Sequence, residues 1–515
     1  MAGSAASTRT SGSPGPSGTS GRSRPSRRSD SSRPSDSSRP SDSSRRPSAG
    51  SGREPLPPGL LRTGAVLALG PVLALLDTTI VNVGIDSVAR DLHSSMAAVQ
   101  WVSTGYLLAM SLAMPLSGWA AGRFGARRTW LVSVALFVAG SALCGLAWST
   151  GSLIAFRVLQ GIGGGLIQPL GQTIMVQAAG PSRIGRVMGT LMFPISLAPV
   201  LGPVLGGLVL EHLAWRWMFL LNVPVGLATL LLAARLVPSD GQRAEPRPRL
   251  DVTGLALLSP GLTLLVYGLA TIGGAAGAGS GAAVTLGCAL LLGYGVHARR
   301  TPVEGRPPLI DLRLFTRRGF AVATANSFLQ GAALYSSMFL VPLYYQQVEQ
   351  RGAVEAGLLL APQALGTAVT SLLAARIADR MAPRPLILIG IACSLLGTLA
   401  FTRLGAGTGP ADGLLAASLA LRGAGMGIIV IPGMAAVYGS VARVQVPAAA
   451  GAVNVLNRVG GALGTAVLTL VLQRSLAGHP GHPAVAFGST FWWVLGLSAL
   501  AIAPALLYPA GRKRP

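Results

Sequence analysis

Apolar runs of about 20 residues, separated by short polar or arginine-bearing segments, recur along the chain from residue 62 to residue 508. A helix of that length crosses a hydrocarbon core about 30 Å thick. The pattern predicts fourteen spans: 62–84, 96–119, 129–149, 152–177, 185–209, 216–236, 253–271, 280–297, 319–345, 355–377, 384–402, 413–438, 446–473 and 484–508. The runs are solidly apolar and too long for the short alternating strands of a membrane barrel. Two are weaker: the seventh begins with polar Asp251 and Thr253, and the eighth is Gly- and Ala-rich and follows the uncharged linker Gly273–Gly281. The expected fold class is an all-α polytopic membrane protein with 14 transmembrane helices.

Residues 1–58 are Ser, Pro, Gly and Arg with almost no large apolar side chain, and SSRPSD repeats at Ser31–Asp36 and Ser37–Asp42. Such a segment buries too little apolar area to offset its ordering entropy, so a disordered tail is expected. It has no apolar core like that of a signal peptide, so no cleavage is expected.

Composition agrees with a membrane protein: half of the 515 residues are hydrophobic and 11% are charged. The net charge of +24 comes almost wholly from arginine, Lys513 being the sole lysine. In a soluble protein that balance would suggest nucleic acid; in a membrane protein it reports basic loops on the cytoplasmic side. With the N-terminus inside, the cytoplasmic loops and C-terminal tail hold about 22 basic residues against 5 in the opposite loops, which predicts both termini in the cytoplasm. Cys144, Cys288 and Cys393 fall within spans without metal-ligand spacing, so neither a disulfide framework nor a metal site is expected, and no cofactor.

Four charged residues lie deep in spans: Asp77, Arg157, Arg422 and Arg458. Each costs a few kcal/mol to place there and marks a functional hypothesis. Asp77 lies about 11 Å from the outer end of the first span and Arg157 about 9 Å from the outer start of the fourth, at ~1.5 Å per residue. At one depth, an arginine that approaches or withdraws would lower or raise the pKa of the acid. A static ion pair holding two helices together is the alternative. The fourth span continues as RVLQGIGGGLIQP (Arg157–Pro169), whose glycines allow close packing and whose Gln160 and Gln168 can bond across a cavity. The fifth, GTLMFPISLAPVLGPVLGG (Gly189–Gly207), combines a glycine strip with Pro194, Pro199 and Pro203 and suits a moving interface.

An internal repeat links GWAAGRFGARR (Gly118–Arg128) with ARIADRMAPRP (Ala375–Pro385), aligning Arg123 with Arg380 and Arg127 with Arg384. Repeated halves meeting at a central site are a common plan of secondary transporters. The expected organisation is a cytoplasmic tail 1–58, a six-helix half 59–236, two extra helices with basic flanks 237–318, a second six-helix half 319–508 and a basic tail 509–515.

RVLQGIGGG, the Gly202-Pro203-x-x-Gly206-Gly207 pattern, WRWMFLLNVPVG (Trp215–Gly226) and LDTTIVNV (Leu76–Val83) together resemble the fourteen-span drug:proton antiporters of the major facilitator superfamily. Phe339–Pro362 and Asn457–Ala466 carry the resemblance into the second half, so that it covers about residues 60–508. It implies a major facilitator fold and proton-driven export of amphipathic small molecules, drugs or antibiotics, across the bacterial cytoplasmic membrane. It also implies Asp77 and Arg157 as the proton-coupling pair and Gly202, Pro203, Gly206 and Gly207 as the antiporter-motif helix. Candidate cavity or gating residues are Asn82, Gln160, Gln168, Asn222, Arg422, Asn454 and Arg458, and the cytoplasmic gating loops carry Arg123, Arg127, Asp379 and Arg380.

Three positions depart from that pattern: Gly122 stands where an aspartate precedes the loop arginine, Ala198 replaces a glycine, and Asp86 replaces a proline. Expected partners are a small-molecule substrate, protons and the bilayer, without nucleic acid, the chain acting as a monomer. With Asp77 the one deep acid, dications are disfavoured, while neutral, monocationic and anionic amphiphiles stay open. Two rivals remain: export of a single endogenous metabolite or lipid on the same fold, and a transport-inactive sensor or scaffold. No catalytic constellation supports an enzyme.

Overall fold

The computed structural model describes residues 57–180, 183–239, 248–271, 277–301, 308–378, 381–405 and 410–508. Residues 1–56 of the expected disordered tail, the tail 509–515 and the Asp379–Arg380 pair lie outside the described residues. The first group of helices is α1 Pro58–Val83, α2 Ile85–Asp91, α3 Met96–Ala113, α4 Leu116–Phe124, α5 Ala126–Gly145, α6 Thr150–Ala179, α7 Ile184–His212, α8 Trp217–Leu220 and α9 Asn222–Leu236. A helical pair follows, α10 Val252–Thr271 and α11 Gly277–Arg300. The second group is α12 Arg318–Gln347, α13 Ala353–Leu358, α14 Ala361–Ala378, α15 Pro383–Leu399, α16 Asp412–Gly439, α17 Val446–Gly478, α18 Pro483–Leu500 and α19 Ile502–Leu506.

Helix ends follow local chemistry. Ser149 and Ser152 form a reciprocal capping box that starts α6, and Ser95 caps α3 by accepting from the Ala98 amide. Gly125, at φ 93°, makes the left-handed turn between α4 and α5. The second predicted span, continuous over 96–119, breaks at Met114–Pro115 and resumes as α4, because proline has no amide to carry the helix through.

Among the described residues, 13 helical stretches are long and apolar enough to span a membrane. The expected span outside these 13 is the ninth, α12, whose 30 residues reach about 45 Å at ~1.5 Å per residue. It falls short in hydropathy because Thr324, Asn326, Ser327, Ser336 and Ser337 lie along it, all of them buried. Its polar positions face protein, which is where a spanning helix tolerates them.

The two groups use the same packing plan. α1 packs on α7 and α9, α6 on α3 and α5, and correspondingly α12 on α17 and α18, α16 on α14 and α15. The groups then exchange equivalent partners, α7 against α14 and α4 against α17. The α10–α11 pair lies against both, touching α3 and α17. There Ser259 donates to the Leu112 carbonyl at 2.8 Å, and Tyr267 stacks on Trp101 with ring centroids 5.8 Å apart. The result is a two-half helical bundle with an extra pair, as expected.

Candidate functional site

The site begins with the glycines of α6. A Cβ on Gly161 would fall 2.5 Å from the Tyr106 carbonyl oxygen, and one on Gly163 would fall 2.6 Å from that of Ser133. Only hydrogen fits, so α3 and α5 approach α6 at backbone distance and Arg157 and Gln160 are carried towards α1.

There they meet Asp77, which is fully buried, as is Arg157. Arg157 Nη1 donates to Asp77 Oδ2 and, at 2.9 Å, to Gln160 Oε1. Gln160 Nε2 and Asn222 Nδ2 each donate to Asp77 Oδ1 at 2.9 Å. Arg157 Nε reaches the Val102 carbonyl at 3.1 Å, and the guanidinium lies over the Tyr106 ring, 4.0 Å from its centroid. Asn222 also donates to Ser141 Oγ at 3.1 Å, and Ser141 donates to the Phe219 carbonyl. Both oxygens of the carboxylate are engaged by donors from α6 or α9. Charge-assisted bonds of this kind are roughly twice as strong as neutral ones. They offset the cost of burying two charges, which would otherwise dominate.

A cavity of about 290 Å³ lies between the halves, walled by α1, α3, α6, α7, α12, α14, α16 and α17. Asp77 is not part of its wall; neighbouring Ala74 and Thr78 are. Tyr106, whose hydroxyl donates to the Ala74 carbonyl at 3.2 Å, stands beneath the Arg157 guanidinium and screens the pair. Of the sequence candidates, Gln168, Asn454 and Arg458 line the cavity. Gln160 and Asn222 do not; they bind Asp77. Asn82 is exposed and accepts from Ser103 at 3.0 Å. Arg422 is buried away from the cavity, donating to Thr398 Oγ1 at 2.6 Å and to the Ala333 carbonyl at 3.0 Å. Arg422 occupies in α16 the place that Arg157 has in α6, yet no carboxylate of a described residue answers it.

Towards the end of the bundle where α1 begins, the halves meet through Gln172, a residue that sequence reasoning did not single out. Gln172 Oε1 accepts from Tyr438 Oη at 2.9 Å and from Asn454 Nδ2 at 2.8 Å, joining α6 to α16 and α17. Nearby a Cβ on Gly118 would lie 3.0 Å from the Ala448 Cα. The motif helix α7 serves both halves: a Cβ on Gly202 would fall 1.8 Å from Thr79 Oγ1 of α1, whereas Gly207 and Pro203 face Val354 and Gly357 of α13. In the last turns of α4, where the sequence predicts a loop, a Cβ on Gly122 would lie 3.3 Å from the Pro248 ring, and Trp119 Nε1 donates to the Pro248 carbonyl at 3.3 Å. The segment leading to α10 thus runs beside the position where the resemblance expects an aspartate, which stays exposed. Arg123 is half-buried in the last turn of α4, and Arg127, in the first turn of α5, donates from Nη2 to the Ala234 carbonyl.

A two-half helical bundle spanning a membrane, with a cavity at its centre and a buried ion pair beside it, is the architecture of a transporter rather than an enzyme. The chain belongs to the Major Facilitator Superfamily, whose sequence profile matches residues 67–465 and 326–515. It is 38% identical over 438 residues to the Multidrug resistance protein B homolog of Mycobacterium tuberculosis, covering 83% of this chain and 79% of that one. It is 32% identical over 431 residues to the Tetracenomycin C resistance and export protein of Streptomyces glaucescens, covering 83% and 77%. Among solved structures, the fold matches the human organic anion transporter MFSD10 (TETRAN) with a TM-score of 0.60 at 20% identity, over 87% of this chain and 100% of that one. It also matches the proton:xylose symporter XylE with a TM-score of 0.60 at 15% identity, over 86% and 94%.

Proposed function

We propose that the protein exports amphipathic small molecules, drugs or antibiotics among them, from the bacterial cytoplasm in exchange for entering protons. The observation that carries this reading is the Asp77–Arg157 pair, buried beside the cavity but not in its wall. A proton reaches Asp77 only if α1, α6 and α9 part, so protonation and rearrangement are linked. Protonated Asp77 loses its charge-assisted bond to Arg157 and releases the guanidinium; deprotonated, it draws the helices together again. Substrate and proton occupy separate places and are coupled through helix movement rather than by competing for one group. Among the described residues no acid answers Arg422, so this reading assigns the proton to Asp77 in the first half.

The arginine bias supports a cytoplasmic position for both termini and for the face closed by Gln172. The halves 59–236 and 319–508 rock as two units about the cavity, with 237–318 bridging them, and Asp379 and Arg380 belong to the cytoplasmic gate with Arg123 and Arg127. The chain acts as a monomer. The names of the two bacterial relatives support export of toxic compounds. The test is substrate flux in proteoliposomes under an imposed pH gradient. Asp77→Asn abolishes the response of flux to the gradient, and an undiminished response in that variant would remove Asp77 from the coupling.

A further inference from the structure

Among the described residues lining the cavity there is one formal charge, the guanidinium of Arg458, and no carboxylate. Arg458 is half-buried and makes no ion pair or hydrogen bond with a described residue. It shares one face of α17 with Asn454 and Asn457, at helical spacing, but those amides are committed, to Gln172 and to the Ser327 carbonyl at 2.9 Å. The seat of Arg458 is fixed by close packing, since a Cβ on Gly461 would fall 2.3 Å from the Tyr335 ring, itself a cavity residue. Asp77, which could have answered a cation, is held by Arg157, Gln160 and Asn222 behind Tyr106. Arg422 adds no charge to the wall.

The rest of the wall suits an apolar body. Met110, Met192, Met338 and Met434 line it with Tyr335. Methionines are flexible and polarisable and adapt to aromatic ligands of varied outline. Gln168 and Gln330 also line the cavity, and neither side-chain amide has a hydrogen-bond partner among the described residues, so both can donate to an anionic group.

We propose that the cavity selects monoanionic amphiphiles, aromatic carboxylates or similar lipophilic acids, with the anion at Arg458 and the ring among the methionines. This assignment rests on the export reading above for its physiological meaning, but not for its binding chemistry. A monocation in the same place would meet the Arg458 guanidinium with no carboxylate among the described lining residues to answer it. A charge-assisted hydrogen bond from Arg458 favours the anion about ten- to hundredfold. Exchange of one such anion outward for one proton inward moves the equivalent of two positive charges into the cell, so flux responds to membrane potential. A monocation exchanged for one proton would move none.

The experiment compares 2-naphthoate with 2-naphthylmethylammonium, one scaffold with opposite charges, by calorimetric titration of the full chain in lipid nanodiscs against empty nanodiscs. The wild type binds the carboxylate at least tenfold more tightly; Arg458→Lys keeps the preference, Arg458→Gln erases it and Arg458→Glu reverses it. Equal or tighter binding of the ammonium, binding of neither, or a preference that survives Arg458→Gln overturns the assignment. Binding without any pH gradient is independent of coupling. A preserved binding preference with flux indifferent to both pH and potential would therefore retire the proton-exchange reading and leave the substrate class standing.

Discussion

Replacing Asp77 by Asn changes almost nothing in shape and removes one buried charge. The amide oxygen still accepts from Gln160 and Asn222, as Oδ1 does at 2.9 Å from each. The new Nδ2, however, faces Arg157 Nη1, a donor against a donor. Arg157 keeps the Val102 carbonyl and Gln160 Oε1, but its charge stays fully buried with no opposite charge beside it. Removing one partner of a buried pair costs about 3–5 kcal/mol, most of it the uncompensated ion that is left. The double variant Asp77→Asn/Arg157→Met takes that ion away. It recovers at least half of the loss, because burying neither charge avoids both desolvation costs. Unfolding free energies of the purified protein in mixed micelles, from denaturant titration of wild type, both single variants and the double variant, measure the coupling. A double variant no more stable than Asp77→Asn would show that the loss arises from packing, and would refute an electrostatic origin for the closed site.

Three further outcomes follow from the geometry. Gly202→Leu drives a side chain into Thr79 and costs about 1–3 kcal/mol by overpacking, whereas Gly413→Ala, with open space around it, is neutral or slightly stabilising; thermal unfolding midpoints compare them. Gln172→Leu removes both bonds that join α6 to Tyr438 and Asn454, a loss of about 2 kcal/mol at ~1 kcal/mol per neutral bond, so that end of the bundle opens more often. Faster maleimide labelling of Ser117→Cys, in a background with the three native cysteines replaced, reports it, and an unchanged rate argues against Gln172 as a fastener. At the opposite end, hydrogen bonds from the Trp215 indole and Arg216 hold the Asp91 carboxyl below its ordinary pKa of 3.8. The folded pKa is depressed, so this tie stabilises the protein above the unfolded pKa and is lost as pH falls through the folded one. The difference in unfolding midpoint between wild type and Asp91→Asn is therefore present at pH 7 and vanishes in strong acid; a difference that persists there would contradict the assignment.

The ion pair is legible in the amino-acid sequence because few residues compete for the explanation of a charge in an apolar run. Asp77 and Arg157 sit at depths that residue counting equates, where each can offset the other's cost of burial. Ser141, Tyr106 and the Val102 carbonyl, which complete the site, leave no such trace: each is an ordinary residue of a spanning helix until a neighbour is known. Asn222 is legible as a polar group in a span, but its partner lies 145 positions away in the chain. The Gln172 node joins three helices of two halves; Asn454 is legible as a candidate, but its partner Gln172 lies 282 positions away and Tyr438 leaves no trace. Gly122 is recognisable as a departure, and only the fold shows the Pro248 ring beside it.

Hydropathy, length and arginine placement determine that this chain is a many-spanning helical bundle with basic loops, because a bilayer imposes span length and orientation almost independently of packing. Counting along a helix likewise gives the depth of a charged residue. It cannot give the direction in which the side chain points, since each residue turns about 100° around an axis whose orientation only the neighbouring helices set. That is why Arg422 and Arg458 read alike in the sequence and part company in the fold. Packing against α12 and α15 buries the first out of reach, and packing of α17 on α12 leaves the second facing the cavity. The same rotation turns Asp77 away from the cavity and into the grip of Arg157, Gln160 and Asn222.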